Sequence, residues 1–364
     1  SRKTRNWQQG EEGKLFEQEL SGYLGVKHAV LTSSGSCAGL LALSALELPK
    51  GSEVIIPAVT FPTIFNIILQ CGLVPVVVDS KIGTYNLDVG EIEGAISEKT
   101  KASIVVHAVG NVADWTKINT IAKKHNLITV LDNCDGFGSD FGGKKVETYA
   151  DISFTSFHAA HIVSMGVGGG VFTNDDELAK KVRMYRDWGR LADLGSKEKY
   201  GLPEDYNPRF IYEKIGYNFQ ILDLQAAMGR VQLRKINLIK KARKRNFDYL
   251  YQHLSKYKQN HLILPRFDEN ADICWFAFPL TTNGDRGKLI NYLESKGIET
   301  RSMFSGNITK HPAYANSEFR ISGELKDSNL ILTQSFWISC HPSLTKNDLE
   351  YIIKVFEAYF NGKN

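Results

Sequence analysis

Cysteine is scarce in this sequence: five among 364 residues, at positions 37, 71, 134, 274 and 340. No two form a Cys-x-x-Cys pair and the count is odd, which argues against a structural zinc site or a sequence-local iron–sulfur motif. Such sparse thiols fit a reducing, cytoplasmic setting. Long apolar runs are missing too. No stretch approaches membrane-spanning length and no secretory leader precedes the first helical pattern, so neither membrane insertion nor secretion is expected. A large excess of one charge is also absent. The 44 basic and 40 acidic residues leave a formal net charge of +4, unlike the concentrated basic face of a nucleic-acid binder. The basic run Lys240, Lys241, Arg243, Lys244, Arg245 lies in an amphipathic helical pattern and reads as a solvated face.

The composition is that of a globular protein, 43% hydrophobic and 23% charged, in a chain too long for one simple core. Short runs rich in Val and Ile, almost free of alternation, predict strands at 27–32, 53–57, 74–79, 103–107, 128–132, 152–157 and 169–173. Helical patterns fall between them, at 38–46, 66–71, 89–96 and 117–125. Strands of this kind are covered on both faces, so the expectation is an α/β fold with a mostly parallel central sheet. A long helical segment over 221–256 leads to a second, α+β unit. That unit holds strands near 275–280 and 298–301, a helix at 286–296 and a closing helix at 346–360. The predicted division is a large domain over 1–245, including an N-terminal helix, and a small domain over 246–364. The charged, Gly- and Pro-containing stretch 190–209 reads as a long loop, and loops of that length are often functional.

Three constellations carry chemistry. Thr32-Ser-Ser-Gly-Ser-Cys37 joins a strand to a helix, and small residues there let backbone N–H groups approach an anion. Gly35 and Ser36 are the phosphate candidates, although a serine before a helix equally serves as its N-cap. Asp132 ends the strand Leu-Ile-Thr-Val-Leu-Asp, where a carboxylate can pair with a protonated ring nitrogen or simply cap the following turn; Asp135 follows in Asp-Asn-Cys-Asp. In Ser156-Phe-His-Ala-Ala-His161-Ile-Val-Ser-Met-Gly-Val-Gly-Gly-Gly170 a strand ends, two histidines appear and glycines feed the next strand. Imidazole suits proton transfer near neutral pH, though His158 has a structural reading as well. The glycines lack the GxGxxG order and context of a dinucleotide site.

With Pro57-Ala-Val-Thr-Phe-Pro62, Gly216-Tyr-Asn-Phe-Gln-Ile-Leu-Asp-Leu-Gln-Ala-Ala227 and Arg301-Ser-Met-Phe-Ser-Gly-Asn307, these segments resemble the DegT/DnrJ/EryC1/StrS family of sugar aminotransferases over nearly the whole chain. The resemblance implies the aspartate-aminotransferase-like (type I) fold and a pyridoxal phosphate cofactor. In that family a lysine normally stands five residues after the strand-end serine and bonds covalently to the cofactor; here that position is His161. The replacement resembles the keto-deoxysugar 3-dehydratase branch, which works through pyridoxamine phosphate, and Asp187-Trp-Gly-Arg190 is a further branch-like stretch. One type in that branch carries a [2Fe–2S] cluster on cysteines just beyond this stretch. With no cysteine between 134 and 274, no such cluster is expected, and L-glutamate becomes the expected source of the cofactor's amine.

Carried over residue by residue, the resemblance implies that Gly35, Ser36 and Ser156 hold the cofactor phosphate. Asn218 would reach the phosphate of a neighbouring subunit, making a homodimer obligatory. Phe61 would stack on the pyridine ring, Asp132 would face its nitrogen, and Asp135 would lie near the ring. Arg301, Phe304 and Asn307 are the candidates for contact with a nucleotide-diphosphate keto-sugar. Imidazole cannot make the covalent link of a lysine, so His161 is expected to serve as base and then acid while the C3 hydroxyl of a 4-keto-6-deoxyhexose departs. The competing readings are an ordinary nucleotide-sugar aminotransferase and a non-catalytic pyridoxal-binding relative.

Overall fold

The computed structural model describes residues 8–190 and 200–362. Seven strands carry the large sheet: β1 (His28–Thr32), β2 (Glu53–Pro57), β3 (Val74–Val78), β4 (Thr100–Val106), β5 (Ile128–Asp132), β6 (Ile152–Ser156) and β7 (Gly169–Thr173). Nearly every residue in them is buried, as their Val- and Ile-rich, non-alternating composition requires. The order is β1-β7-β6-β5-β4-β2-β3, with Arg320–Ile321 added beside β3. From β6 across to Arg320–Ile321 every pairing is parallel, and β7 alone runs antiparallel to both its neighbours. The carboxyl ends of β2, β4, β5 and β6 therefore open on the same side, where α/β sheets bind ligands.

Helices cover the sheet. They are α1 (Glu11–Leu24), α2 (Gly35–Ala45), α3 (Pro62–Gln70), α4 (Trp115–His125) and α5 (Asp176–Arg186). Apolar on nearly all sides, α2 is buried against β6, β7, α3 and α5. The helix expected over 221–256 is two helices, α6 (Asp223–Leu233) and α7 (Ile236–Leu254). They part because they bury different faces. α6 lies on α1, where Gly229 leaves room for the Phe16 ring. α7 turns Phe247, Leu250 and Leu254 toward the second sheet.

That sheet is antiparallel and four-stranded: Leu262–Ile263, then β8 (Ala277–Thr282), β10 (Ser335–Ser339) and β9 (Thr300–Ser302). Around it stand α8 (Arg286–Ser295), α9 (Lys326–Gln334) and α10 (Lys346–Phe360). Phe247 stacks on Trp275 at 3.9 Å and 4°. One apolar cluster runs from Ile55, Val105 and Leu131 on the large sheet through this pair to Phe336 and Phe356. α7 passes unbroken through residue 245, where the domain division was expected, and shares this cluster. Among the described residues no helix is long and apolar enough to cross a membrane. Of the expected loop 190–209, residues 191–199 lie outside the described residues.

Candidate active site

A cavity of about 820 Å³ opens over the carboxyl ends of the parallel strands. Its floor begins at the start of α2. Ser34 is the N-cap, its hydroxyl accepting from the Cys37 N–H at 3.1 Å, so capping falls to Ser34 and leaves Ser36 free. The Ser36 hydroxyl meets Thr63 Oγ1 at 2.7 Å. The N–H groups of Gly35 and Ser36 have no acceptor among the described residues, the ordinary state of a first helical turn and a ready anion site. Gly35 has no room for a side chain: a Cβ there would lie 2.6 Å from Ser156 Cβ. That contact sets Ser156, the last residue of β6, beside the helix start. The glycine run has the same reason. A Cβ on Gly169 would sit 2.4 Å from the Ser34 carbonyl oxygen, so β7 passes close against the turn.

Asp132 ends β5, buried, with Oδ1 accepting from the Cys134 N–H at 3.0 Å. Burial pushes its pKa above the usual carboxylate value, so it gains from a cationic partner. Phe61, the N-cap of α3, is 54% exposed at the cavity wall and meets Phe304 edge-on at 6.5 Å. A free N-terminal turn, a strand-end carboxylate and an exposed aromatic ring thus line one cavity. The set fits a phosphorylated, protonated heteroaromatic ring.

His161 and Asp135 share the cavity wall. His161 Nε2 lies 3.5 Å from Asp135 Oδ1, and the imidazole ring stands 5.7 Å from Phe276 and 6.1 Å from His158. Burial, helped by the charges of His158 and Arg243, lowers the His161 pKa to about 4, so the ring is neutral at physiological pH. Burial and the neighbouring Asp132 carboxylate raise Asp135 to about 8. Among the described residues no lysine lines the cavity.

Not every sequence candidate comes to this place. Arg301 and Phe304 line the wall, Arg301 paired with Glu299. Asn307 does not: it is fully buried, with its amide donating to Asn329 Oδ1 at 2.9 Å and its oxygen accepting from Thr309. Asn218 is exposed and bridges Asp187 away from the cavity lining of its own chain.

Other lining residues were not singled out from the sequence. His107, next after β4, accepts from Trp115 Nε1–H at 3.1 Å through Nε2. Its ring proton therefore sits on Nδ1, which meets Asn133 Oδ1 at 3.0 Å, and Asn133 donates to Glu147 at 2.7 Å. Its position at a strand end was a usable signal. Trp337 and Phe276 come from the second sheet and its approach, and no local pattern announces them.

Fold and cavity together define the architecture of the pyridoxal-phosphate-dependent aminotransferases. The chain belongs to the DegT/DnrJ/EryC1/StrS aminotransferase family, whose model matches residues 1–357. Enzymes of this family depend on pyridoxal phosphate and act on sugars. The chain is 40% identical over 374 residues to the lipopolysaccharide biosynthesis protein RfbH of Salmonella typhimurium, covering 96% of this chain and 85% of that one. It is 38% identical to a dTDP-4-dehydro-2,6-dideoxy-D-glucose 3-dehydratase of Saccharopolyspora spinosa, covering 95% and 79%. Among solved structures, a GDP-4-keto-6-deoxymannose-3-dehydratase with a trapped PLP–glutamate geminal diamine superposes with a TM-score of 0.87 at 26% identity, over 95% and 92% of the two chains.

Proposed function

We propose that this chain is a pyridoxamine-phosphate-dependent 3-dehydratase of nucleotide-linked 4-keto-6-deoxyhexoses. The observation that carries the reading is the cavity wall: among the described residues it holds His161 and no lysine. An aminotransferase of the ordinary kind needs a lysine amine there. When bound, the cofactor supplies an amine that condenses with the sugar ketone and a ring that takes up electron density as C–H and C–O bonds break.

The remaining work belongs to the chain's own residues. The N–H groups of Gly35 and Ser36, with the Ser156 hydroxyl, would hold the phosphate without a covalent anchor. Asp132 would keep the ring nitrogen protonated, and Phe61 would cover the ring face. His161, neutral and half-enclosed, would take a proton from carbon and return it to the departing C3 oxygen, leaving as water. Arg301 and Phe304, on the cavity wall, would contact the nucleotide diphosphate and sugar. L-glutamate is the proposed donor that restores the amine, supported by the solved dehydratase carrying a glutamate adduct. No iron–sulfur cluster is invoked, because the sequence has no cysteine between Cys134 and Cys274.

We further propose a homodimer. Leu224, Met228 and Val231 repeat at helical spacing on α6 and are 70%, 47% and 47% exposed, and Phe210, Tyr212 and Ile215, earlier in the chain, are exposed as well. Apolar exposure so concentrated marks an interaction surface. Asn218 lies within this stretch, exposed and outside the lining of its own cavity, which suits a contact to a partner's phosphate.

Borohydride reduction of the cofactor-loaded protein, followed by peptide mapping, tests the lysine-free premise. The expected result is no pyridoxyl-lysine. A modified lysine in the cavity would overturn the reading and favour the aminotransferase.

A further inference from the structure

His161 acts alone in the scheme above, yet the structure does not leave it alone. Its Nε2 lies 3.5 Å from Asp135 Oδ1, with the two side chains 19% and 8% exposed. Each also keeps a buried polar atom without a partner, His161 Nδ1 and Asp135 Oδ2. Catalytic hydrogen bonds are often long before the reacting complex forms.

The other charged or titratable groups around the pair come from four elements. Asp132 and Cys134 stand on the same turn as Asp135, and His158 precedes His161. Arg243 reaches in from α7, but its Nη1 is committed to the carbonyls of Trp275 and Phe276 at 3.2 and 2.7 Å. His107 lines the same cavity with both ring nitrogens engaged. Asp135 is the one carboxyl within salt-bridge distance of the imidazole among the described residues.

We propose that Asp135 is a positioning residue that acts through His161: the two share a proton across the Oδ1···Nε2 contact, so the imidazole gains and returns a proton without becoming an isolated buried cation. The inference rests on the dehydratase reading for its use, though the pair itself does not. The physical reason is the cost of unpaired charge. Burial, with the charges of His158 and Arg243, makes this imidazole resist protonation. When Asp135 is ionised, as it is above about pH 8, the added proton neutralises the pair instead of charging it. In the base step, His161 takes a proton from carbon, whose electron pair stays with the substrate and cofactor. In the acid step the proton goes to the departing hydroxyl oxygen, which leaves as water. The pair ends as it began, so no outside oxidant or reductant is needed for either step. The same carboxyl can hold the ring in one orientation, as acidic partners of catalytic histidines do.

The test is a pH titration of the His161 imidazole by nitrogen NMR on the full-length, cofactor-free protein. Wild type should show two steps: imidazole protonation at acid pH, and an alkaline step, near the Asp135 value of about 8, where Nε2 changes its hydrogen bonding. Asp135→Asn should lose the alkaline step, and Asp135→Glu should keep one. In the dehydration assay Asp135→Asn should lose about 10²-fold in kcat with KM little changed, and its pH profile should change shape. If Asp135→Asn does not fold, the wild-type spectrum decides alone: absence of the alkaline step overturns the proposal. An alkaline step that persists in Asp135→Asn also overturns it, and leaves the dehydratase reading standing. Loss of the step in a protein that dehydrates no sugar supports the pair and sinks the dehydratase reading.

Discussion

Asp132, Asp135 and Glu147 are three buried carboxyls within one short segment, and only the first has an obvious future partner in a bound ring. Glu147 accepts from Asn133 through Oε1, while Oε2 has no partner. Burial raises it to about 7 from an ordinary value of 4.5. The consequence for stability has a definite sign. A carboxyl whose folded pKa is raised contributes fully below its unfolded value, and that contribution is lost as pH climbs from about 4.5 through about 7. Glu147→Gln removes the penalty while keeping an acceptor for Asn133. The melting temperature of this variant, relative to wild type, should therefore rise between about pH 5 and pH 7 and level off above it. A difference that stays flat across that range would show that Glu147 ionises freely in the folded protein. At this scale the sequence was readable where a residue ends a strand, as Asp132 and Ser156 do. The Asp135–His161 contact was not, because it joins two separate turns. Asn307 misled because a motif match does not say which way a side chain points, and here it points into the protein.

Elements were legible in proportion to how completely they are buried. The strands at Glu53–Pro57, Ile128–Asp132 and Gly169–Thr173 fall where an unbroken apolar or small-residue run predicts them. Helix starts were harder, since a first turn is built from capping and small residues and carries little apolar signal. α3 begins at Pro62, ahead of the expected 66, with Pro in a first-turn position where its missing N–H costs nothing. β10 follows directly on α9 with no turn residue between, so no punctuation marks it. The start of α2 is where element and function meet. Gly35→Ala would push a Cβ to within 2.6 Å of Ser156 Cβ, costing about 1–3 kcal/mol in overpacking and prising the helix start from the strand end. The expected outcome is a lower melting temperature together with weaker pyridoxamine phosphate binding by fluorescence titration. Unchanged affinity would mean that the phosphate is held elsewhere.

For the whole molecule, fold class followed from alternating strand and helix signals, but assembly did not, because an interface is written in exposed residues that look like any surface. The structure adds the exposed apolar side chains of α6 and of residues 210–215. If two chains meet there and share sites, mixing His161→Asn with Asn218→Ala, each inactive alone at limiting cofactor, should restore part of the activity once subunits exchange. One site in each mixed dimer would carry neither defect. No recovery after demonstrated exchange, or a fully active monomer, would contradict shared sites. The central claim, removal of a hydroxyl rather than transfer of an amine, is tested most directly by the product. The protein is incubated with a panel of nucleotide-linked 4-keto-6-deoxyhexoses, pyridoxamine phosphate and L-glutamate, and the sugar is weighed by mass spectrometry. The account predicts a keto-sugar lighter by one oxygen atom, with ammonia released and glutamate consumed. A sugar bearing an amino group in place of its keto oxygen, with no ammonia, would contradict it.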